Sequence, residues 1–243
     1  GSNQEDAALG VSVASTGLVV VTGYSNGSIA GIGLNNAGSS DAFIVAYNAT
    51  GAFQWSKIIS GPQWEEGTAV VCTGNQVVAY GTFTYDTLLG GLPTAVGLST
   101  GQSYAYINSY DLSGALQWSL TGTSNDNVYT ERIAADATNV YVVGSTGGNT
   151  MEWRNSGGLT SANVSTTNDD ALFCSSISLN GTPAWTRLID NPGDSDAQCN
   201  GVAVDCGAVY ITGMSYNASV FPGGITRNMG SVTDYWFLAA LSR

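Results

Sequence analysis

Apolar and polar positions alternate along this chain in short bursts, and the bursts recur. Four segments read almost alike: Val13 to Gly23 (VASTGLVVVTG), Val71 to Gly81 (VCTGNQVVAYG), Ala134 to Gly144 (AADATNVYVVG) and Ala203 to Gly213 (AVDCGAVYITG). Their closing glycines are 58, 63 and 69 residues apart. A second landmark follows each one. The stretch from Asp41 to Trp55 matches Ser103 to Trp118 and Asp170 to Trp185, and a fourth copy opens at Asp234. Such self-similarity marks a repeat architecture.

Within one repeat the pattern predicts four strands. Strand a is Gly10 to Ala14, matched by Thr68 to Cys72, Glu131 to Ala135 and Gly201 to Asp205. A small polar turn leads to strand b, the β-branched run Val19 to Thr22 and its copies, which suits a pleated, buried surface. A long connection precedes strand c, such as Ala42 to Tyr47. The turns ending in Gly51, Gly114 and Gly181 place glycine where a positive φ costs least. Strand d follows and carries Trp55, Trp118 or Trp185. No segment holds a helical period over ten or more residues. The chain is therefore expected to be all-β.

Four-stranded antiparallel units repeated in sequence bury both faces by stacking as propeller blades. A sandwich would also give short strands, but not the same four-strand pattern four times. The expectation is a single β-propeller domain over 1–243, with repeats at about 5–60, 61–121, 122–190 and 191–243. Blade 4 would lack its outer strand. The three repeated tryptophans are expected in the core between blades.

Composition narrows the function. Of 243 residues only 10 % are charged, with 18 acids against 6 bases, a net charge of −12 and no histidine. Phosphate binding needs clustered cations, so a nucleic-acid partner is not expected, and anionic lipid is disfavoured likewise. Without histidine there is no Ser-His-Asp or Cys-His catalysis and no HExxH zinc site. The longest aliphatic run, Leu18 to Val21, is far below the ~20 residues of a membrane helix, so no membrane insertion is expected. No signal-peptide pattern opens the chain. Cys199 and Cys206 lie at opposite ends of an extended strand, ~23 Å apart at ~3.3 Å per residue, too far for a disulfide. Buried free thiols are the default for Cys72, Cys174, Cys199 and Cys206. Five glycosylation sequons, at Asn26, Asn48, Asn163, Asn180 and Asn217, fall in turns or loops.

The segments Ala203-Val-Asp-Cys-Gly-Ala-Val-Tyr-Ile-Thr-Gly213 and Asp41-Ala-Phe-Ile-Val-Ala-Tyr47 carry a family resemblance. The repeat resembles the bacterial β-propeller repeat called SBBP over nearly the whole chain. It departs in Ser103-Tyr104, where Asp-Ala is usual, and in Ser15 and Thr73 at the strand a–b aspartate. The resemblance implies a propeller in a secreted or surface protein, with no enzymatic activity.

Candidate sites follow from where loops gather. All the long connections join strands b and c: Ser25 to Ser40, Tyr85 to Gln102, Gly147 to Asp169 and Asn217 to Thr233. Loops on one face of a rigid scaffold are common binding surfaces, and these carry Ile29, Ile32, Leu92, Trp153, Phe221 and Ile225. The plainer reading is that these side chains cap the blade ends. The d–a loops on the same face carry Glu5, Asp6, Glu65, Glu66, Asp126, Asp194 and Asp196. Around a channel mouth such acids would suit a hard cation such as Ca²⁺, although solvated loop acids are the plainer reading and no cofactor is otherwise expected. Paired carboxylates also raise glycoside hydrolysis, but no one pair stands out.

The functional expectation is a non-catalytic extracellular or surface module for binding or assembly, with a protein (itself or another) as partner. A glycan-binding lectin using the loop face is the alternative. Blade 4 supplies the assembly candidate. Its strand c, with Tyr235, Trp236, Phe237 and Leu238, has no charge or proline to discourage pairing at an open edge.

Overall fold

The β-branched runs become the inner strands of antiparallel meanders, as their patterning requires. The structure is a computed structural model and describes residues 1–85, 98–159, 161, 163–167, 169–189, 197–205, 207–215, 219–221, 225–227 and 235–242. Blade 1 runs β1 (Asp6–Val13), β2 (Val19–Ser25), β3 (Asp41–Tyr47) and β4 (Phe53–Ile59), hydrogen-bonded in that order. Blade 2 repeats the order with β5 (Glu65–Thr73), β6 (Gln76–Tyr85), β7 (Gln102–Asp111) and β8 (Leu116–Thr123). Blade 3 opens with β9 (Val128–Ala135) and β10 (Asn139–Thr146). Its b–c insertion carries β11 (Thr150–Asn155), β12 (Gly158–Leu159) and β13 (Val164–Ser165) before β14 (Ala171–Ser178) and β15 (Pro183–Ile189) complete the blade. Blade 4 has β16 (Gln198–Val204) and β17 (Ala208–Ser215), an inserted hairpin of β18 (Ser219–Phe221) and β19 (Ile225–Arg227), and then β20 (Tyr235–Ser242). Among the described residues the only helical segment is one 3₁₀ turn, Ala30–Ile32. The fold is all-β, built of β-propeller blades: among the described residues the meanders of blades 1 to 3 have four strands each and the last has three, and at β8 the sheet of blade 2 runs on into β11 and β12.

The chain divides into two compact units, Gly1–Thr121 with Asn155–Gly158, and Gly122–Arg154 with Leu159–Arg243. In the first, one cluster joins Val20, Ala42, Ile44, Ala46 and Trp55 of blade 1 to Val70, Val77, Ala79, Phe83 and Tyr106 of blade 2. Trp55 sits in this core as expected. Its indole N–H donates to the Leu112 carbonyl at 3.0 Å, and its ring lies 6.1 Å from that of Tyr110. The second unit repeats the arrangement: Tyr141, Val143, Leu172, Cys174 and Ile189 of blade 3 pack with Cys199, Val209, Ile211 and Leu241 of blade 4. Trp185 joins that cluster, 6.3 Å from Tyr141 and with the Arg187 guanidinium 4.5 Å above its ring. Trp118 is half-buried.

The repeated glycine has a local cause. Gly23, Gly81, Gly144 and Gly213 stand opposite Ala8, Gly67, Thr130 and Cys199 of strand a. Strand a then bulges, the register shifting across the next residue, Leu9, Thr68, Glu131 or Asn200. A bulge bends its strand and shifts the neighbouring backbone. A Cβ on these glycines would lie 1.9, 2.1, 2.2 and 2.0 Å from the carbonyl oxygens of Ala7, Glu66, Tyr129 and Gln198, which no side chain tolerates. On the other side of each glycine, strand c supplies an aromatic partner: Phe43, Tyr106, Phe173 or Phe237.

This register corrects the sequence alignment of strand c by one residue. Counting back two from each aromatic, Asp41 is equivalent to Tyr104, Ala171 and Tyr235, not to Ser103, Asp170 and Asp234. The sequence match followed the acid, whereas the fold is anchored on the ring beside the glycine.

The turns follow the side-chain chemistry anticipated for them. Asp136 accepts from the amides of Thr138 and Asn139 at 2.6 and 2.8 Å, and Asp205 from those of Gly207 and Ala208 at 2.8 and 3.2 Å. Cys72, Cys174 and Cys199 are free thiols; Cys206 lies outside the described residues.

Substituting the repeat glycine tests this explanation. Gly144→Ala must displace Tyr129 or the Phe173 ring and is expected to cost about 1–3 kcal/mol or more, the range for overpacked sites. Gly31→Ala, where nothing lies within 4 Å of the added carbon, is expected to be close to neutral. Urea unfolding of both variants measures the difference.

Candidate functional site

Four places in the two units bear on function: an acid group in the first unit, a cleft in the second, the b–c insertions and the outer face of blade 4.

In the first unit the acids at the start of strand a separate by environment. Asp6 and Glu65 occupy equivalent positions, paired with Ser25 and Phe83; in blade 3 that position is Val128. Burial disfavours ionisation of Asp6, but the hydroxyls of Ser25 and Ser2 and the Ser2 amide outweigh it and hold the carboxyl below its usual value. Glu65 is fully buried. Burial, and the nearby Asp41 carboxyl, push it up to about 8. Glu66 is partly buried and raised for the first of these reasons. Asp126 belongs to the second unit, two residues before the equivalent position, and Asp194 and Asp196 lie outside the described residues. Among the described residues no three acids or thiols gather into a cluster able to hold a metal.

In the second unit the bulge residue of β9 points into a polar cleft of about 800 Å³. It is lined by Asp126, Tyr129, Glu131, Arg132, Asp169 and Asn200, among others. Glu131 is the bulge residue, and its Oε2 is sealed from water with no hydrogen-bond partner among the described residues. Burial pushes its carboxyl up to about 8, against the opposing influence of the Cys199 amide, the Arg132 charge and the Ser145 hydroxyl. Sequence reasoning placed Glu131 in a strand and missed this role. Nothing in its sequence position set it apart from an ordinary strand acid.

The loop-face candidates Ile29, Ile32 and Trp153 pack inward, as the plainer of the two readings has it. Ile29 and Ile32 are partly buried against Leu34, Phe43 and Val45, so the insertion of blade 1 folds down over its own sheet. The Ser56 hydroxyl donates to the Ile32 carbonyl at 2.5 Å and fixes that contact. Trp153, a candidate for the binding face, lies in β11 and is wholly buried, its indole N–H donating to Ser175 Oγ at 3.0 Å. Both follow the capping alternative, because an insertion long enough to return across its blade covers apolar area that would otherwise face water. Phe221 and Ile225 form a pair in the β18–β19 hairpin, and Leu92 lies outside the described residues.

The last place is β20. Among the described residues it pairs on one side only, with β17. Trp236 is 79 % and Leu238 67 % exposed, while Phe237 between them is half-buried over Gly213. The register shows how unusual this is. Trp236 and Leu238 are equivalent to Ala42 and Ile44 of blade 1 and to Leu172 and Cys174 of blade 3, all fully buried. On its opposite face blade 1 is bare along β1: Val11 and Val13 are 66 % and 59 % exposed, while Val70, equivalent to Val11 in blade 2, is buried.

Glu131 gives a pH-dependent prediction. Its carboxyl titrates near 8 in the fold against an ordinary 4.5, so the unfolded chain gives up this proton first as pH rises. Its contribution is complete below pH 4.5 and is lost as pH climbs through 8. Glu131→Gln is expected to raise the melting temperature at pH 8.5 by ~2–4 °C, the effect of about 1 kcal/mol at this chain length, and to have little effect at pH 4.5. Thermal unfolding at the two pH values measures it.

No family model matches the chain. It is 24 % identical over 180 residues to an uncharacterised WD repeat-containing protein of Acanthamoeba polyphaga mimivirus, covering 68 % of this chain and 13 % of that one. Among solved structures it is similar to BamB from Moraxella catarrhalis, at 13 % identity and a TM-score of 0.30, covering 98 % of this chain and 79 % of that one. On its own repeated four-stranded meanders, the chain stands as an all-β protein of β-propeller blades.

Proposed function

We propose that this chain is a non-catalytic β-propeller module that binds protein through the bare face of blade 4. The observation that carries this is the exposure of Trp236 and Leu238 at positions buried by the neighbouring blade in blades 1 and 3. A flat face of this kind fits another sheet face. The chain presents one of the complementary kind on blade 1, around Leu9, Val11 and Val13. The partner read from this is a second copy, joined head to tail, blade 4 of one on blade 1 of the other. Such a contact is heterologous and closes into a ring or runs on as a polymer. The lysine-poor, acidic composition and the SBBP-like repeat support an extracellular or surface-exposed setting, as a scaffold or adhesin part.

Complementation tests it. The native chain is expected to associate with rising concentration in analytical ultracentrifugation. Trp236→Glu and Val11→Glu are each expected to sediment as monomers. Mixed together they retain one intact blade 4 face and one intact blade 1 face, so a 1:1 heterodimer is expected. A native chain that stays monomeric at every concentration, or a mixture that fails to pair while the native chain does, contradicts the proposal.

A second reading, glycan binding, draws on the cleft of the second unit. Tyr129 is 46 % exposed at its wall, and the amides of Asn127, Gln198 and Asn200 stand beside it. An aromatic ring with amide and carboxylate partners is a set that orients a sugar. Binding on a glycan array that is lost with Tyr129→Ala supports this reading; an array without signal removes it.

A further inference from the structure

Asp41 and Glu65 form a buried pair of acids that the repeat does not require. At the position of Asp41, blades 2 and 3 place Tyr104 and Ala171, both buried; at the position of Glu65, blade 3 places the buried Val128. An aromatic or aliphatic side chain therefore serves the fold at both places. In the first unit both positions are filled instead by carboxylates, each with no exposed surface.

Local backbone contacts bring the two together. The amides of Ser39 and Ser40 donate to the Gln63 carbonyl at 2.9 and 3.2 Å, and the Glu65 amide donates to the Ser40 carbonyl at 3.0 Å. Ser40 Oγ donates to the Glu65 carbonyl at 2.9 Å. Gly38 passes so close to Gly61 that a Cβ there would lie 2.3 Å from the Gly61 carbonyl oxygen. The end of the blade 1 insertion is thus laced to the segment leading into β5. The carboxylates stand at that seam, close enough for Asp41 to oppose ionisation of Glu65.

Their oxygens are short of donors. Asp41 Oδ2 accepts from the Ala37 amide at 2.8 Å, but among the described residues Asp41 Oδ1 and both Glu65 oxygens have no hydrogen-bond partner. The Gly61 amide lies near both groups and eases their ionisation only in part. No protein cation serves them: among the described residues the only ion pair is Arg154 with Glu152. Burying acceptors without donors is costly, and a hard cation is the partner that three carboxylate oxygens suit best.

We propose that Asp41 and Glu65 hold a hard divalent cation of the Ca²⁺ class, which ties the blade 1 insertion to the start of β5. Asp41 Oδ1 and the two Glu65 oxygens are the protein ligands, and water or backbone carbonyls fill the remaining positions that such an ion takes. The site is independent of the blade faces that bind a partner.

The test uses the full chain at pH 7.5, with Ca²⁺ added or removed by EDTA. Ca²⁺ is expected to raise the melting temperature by several degrees, and calorimetry is expected to show one site per chain. Asp41→Asn and Glu65→Gln, which keep shape and remove charge, are each expected to weaken Ca²⁺ binding at least tenfold. Tb³⁺ provides a readout independent of stability: luminescence sensitised by Trp64, next to Glu65, is expected in the native chain and to fall as Ca²⁺ displaces it. A native chain that responds to none of Ca²⁺, Mg²⁺ or Mn²⁺ overturns the proposal, and a proton shared by the two acids then balances them. Ca²⁺ binding that survives both substitutions unchanged also overturns it, since the ion then sits elsewhere.

Discussion

The interaction on which this architecture rests is a steric one between a bulge and a glycine. In every repeat the backbone carbonyl one residue before the paired position of strand a sits where the Cβ of strand b would be. Only glycine admits it. That single contact sets which residue of strand a faces which residue of strand b, and a strand shifted by one residue would turn its whole apolar set to the other side. The ring of strand c covers the glycine from the far side and carries the register outward across the sheet.

From that register the blade faces follow. Each meander has two apolar faces, and within each unit one blade lays its face on the next. Burial of such faces is the main favourable contribution to folding, so a face left uncovered has consequences. The same argument explains the insertions. Where blade 1 has area to spare around Phe43 and Val45, its b–c connection returns with Ile29, Ile32 and Leu34 to cover it. The insertion of blade 3 likewise buries Trp153 and Met151. These segments are structural caps first. The polar chemistry lies instead at the bulge of β9 and at the seam between the blade 1 insertion and β5, where carboxylate oxygens are buried.

The fold was legible in the sequence because it is written four times. The glycine spacing, the β-branched runs and the repeated tryptophans place strands a to d close to where they lie, and Trp55 and Trp185 pack between blades as their repetition implied. The candidate site was less legible. Apolar residues in a long loop read as exposed, yet Trp153 is buried, because whether a loop stands free or folds back depends on apolar area elsewhere in the blade. The row of acids read as a ring, yet strand pairing makes only Asp6 and Glu65 equivalent. Asp41 looked like a family motif residue, and the one-residue offset that buries it beside Glu65 appears only once the aromatic is seen opposite the glycine. Bulges leave no mark in composition, so Glu131 could not be told from an ordinary strand acid.

Cross-strand proton contacts measured by nuclear magnetic resonance test the register most directly. The account predicts contacts across the pairs Gly23–Ala8, Gly81–Gly67, Gly144–Thr130 and Gly213–Cys199, with the register of strand a shifting across the next residue, Leu9, Thr68, Glu131 or Asn200. A regular ladder, in which those four residues pair with strand b and the glycines oppose no bulge, would contradict it.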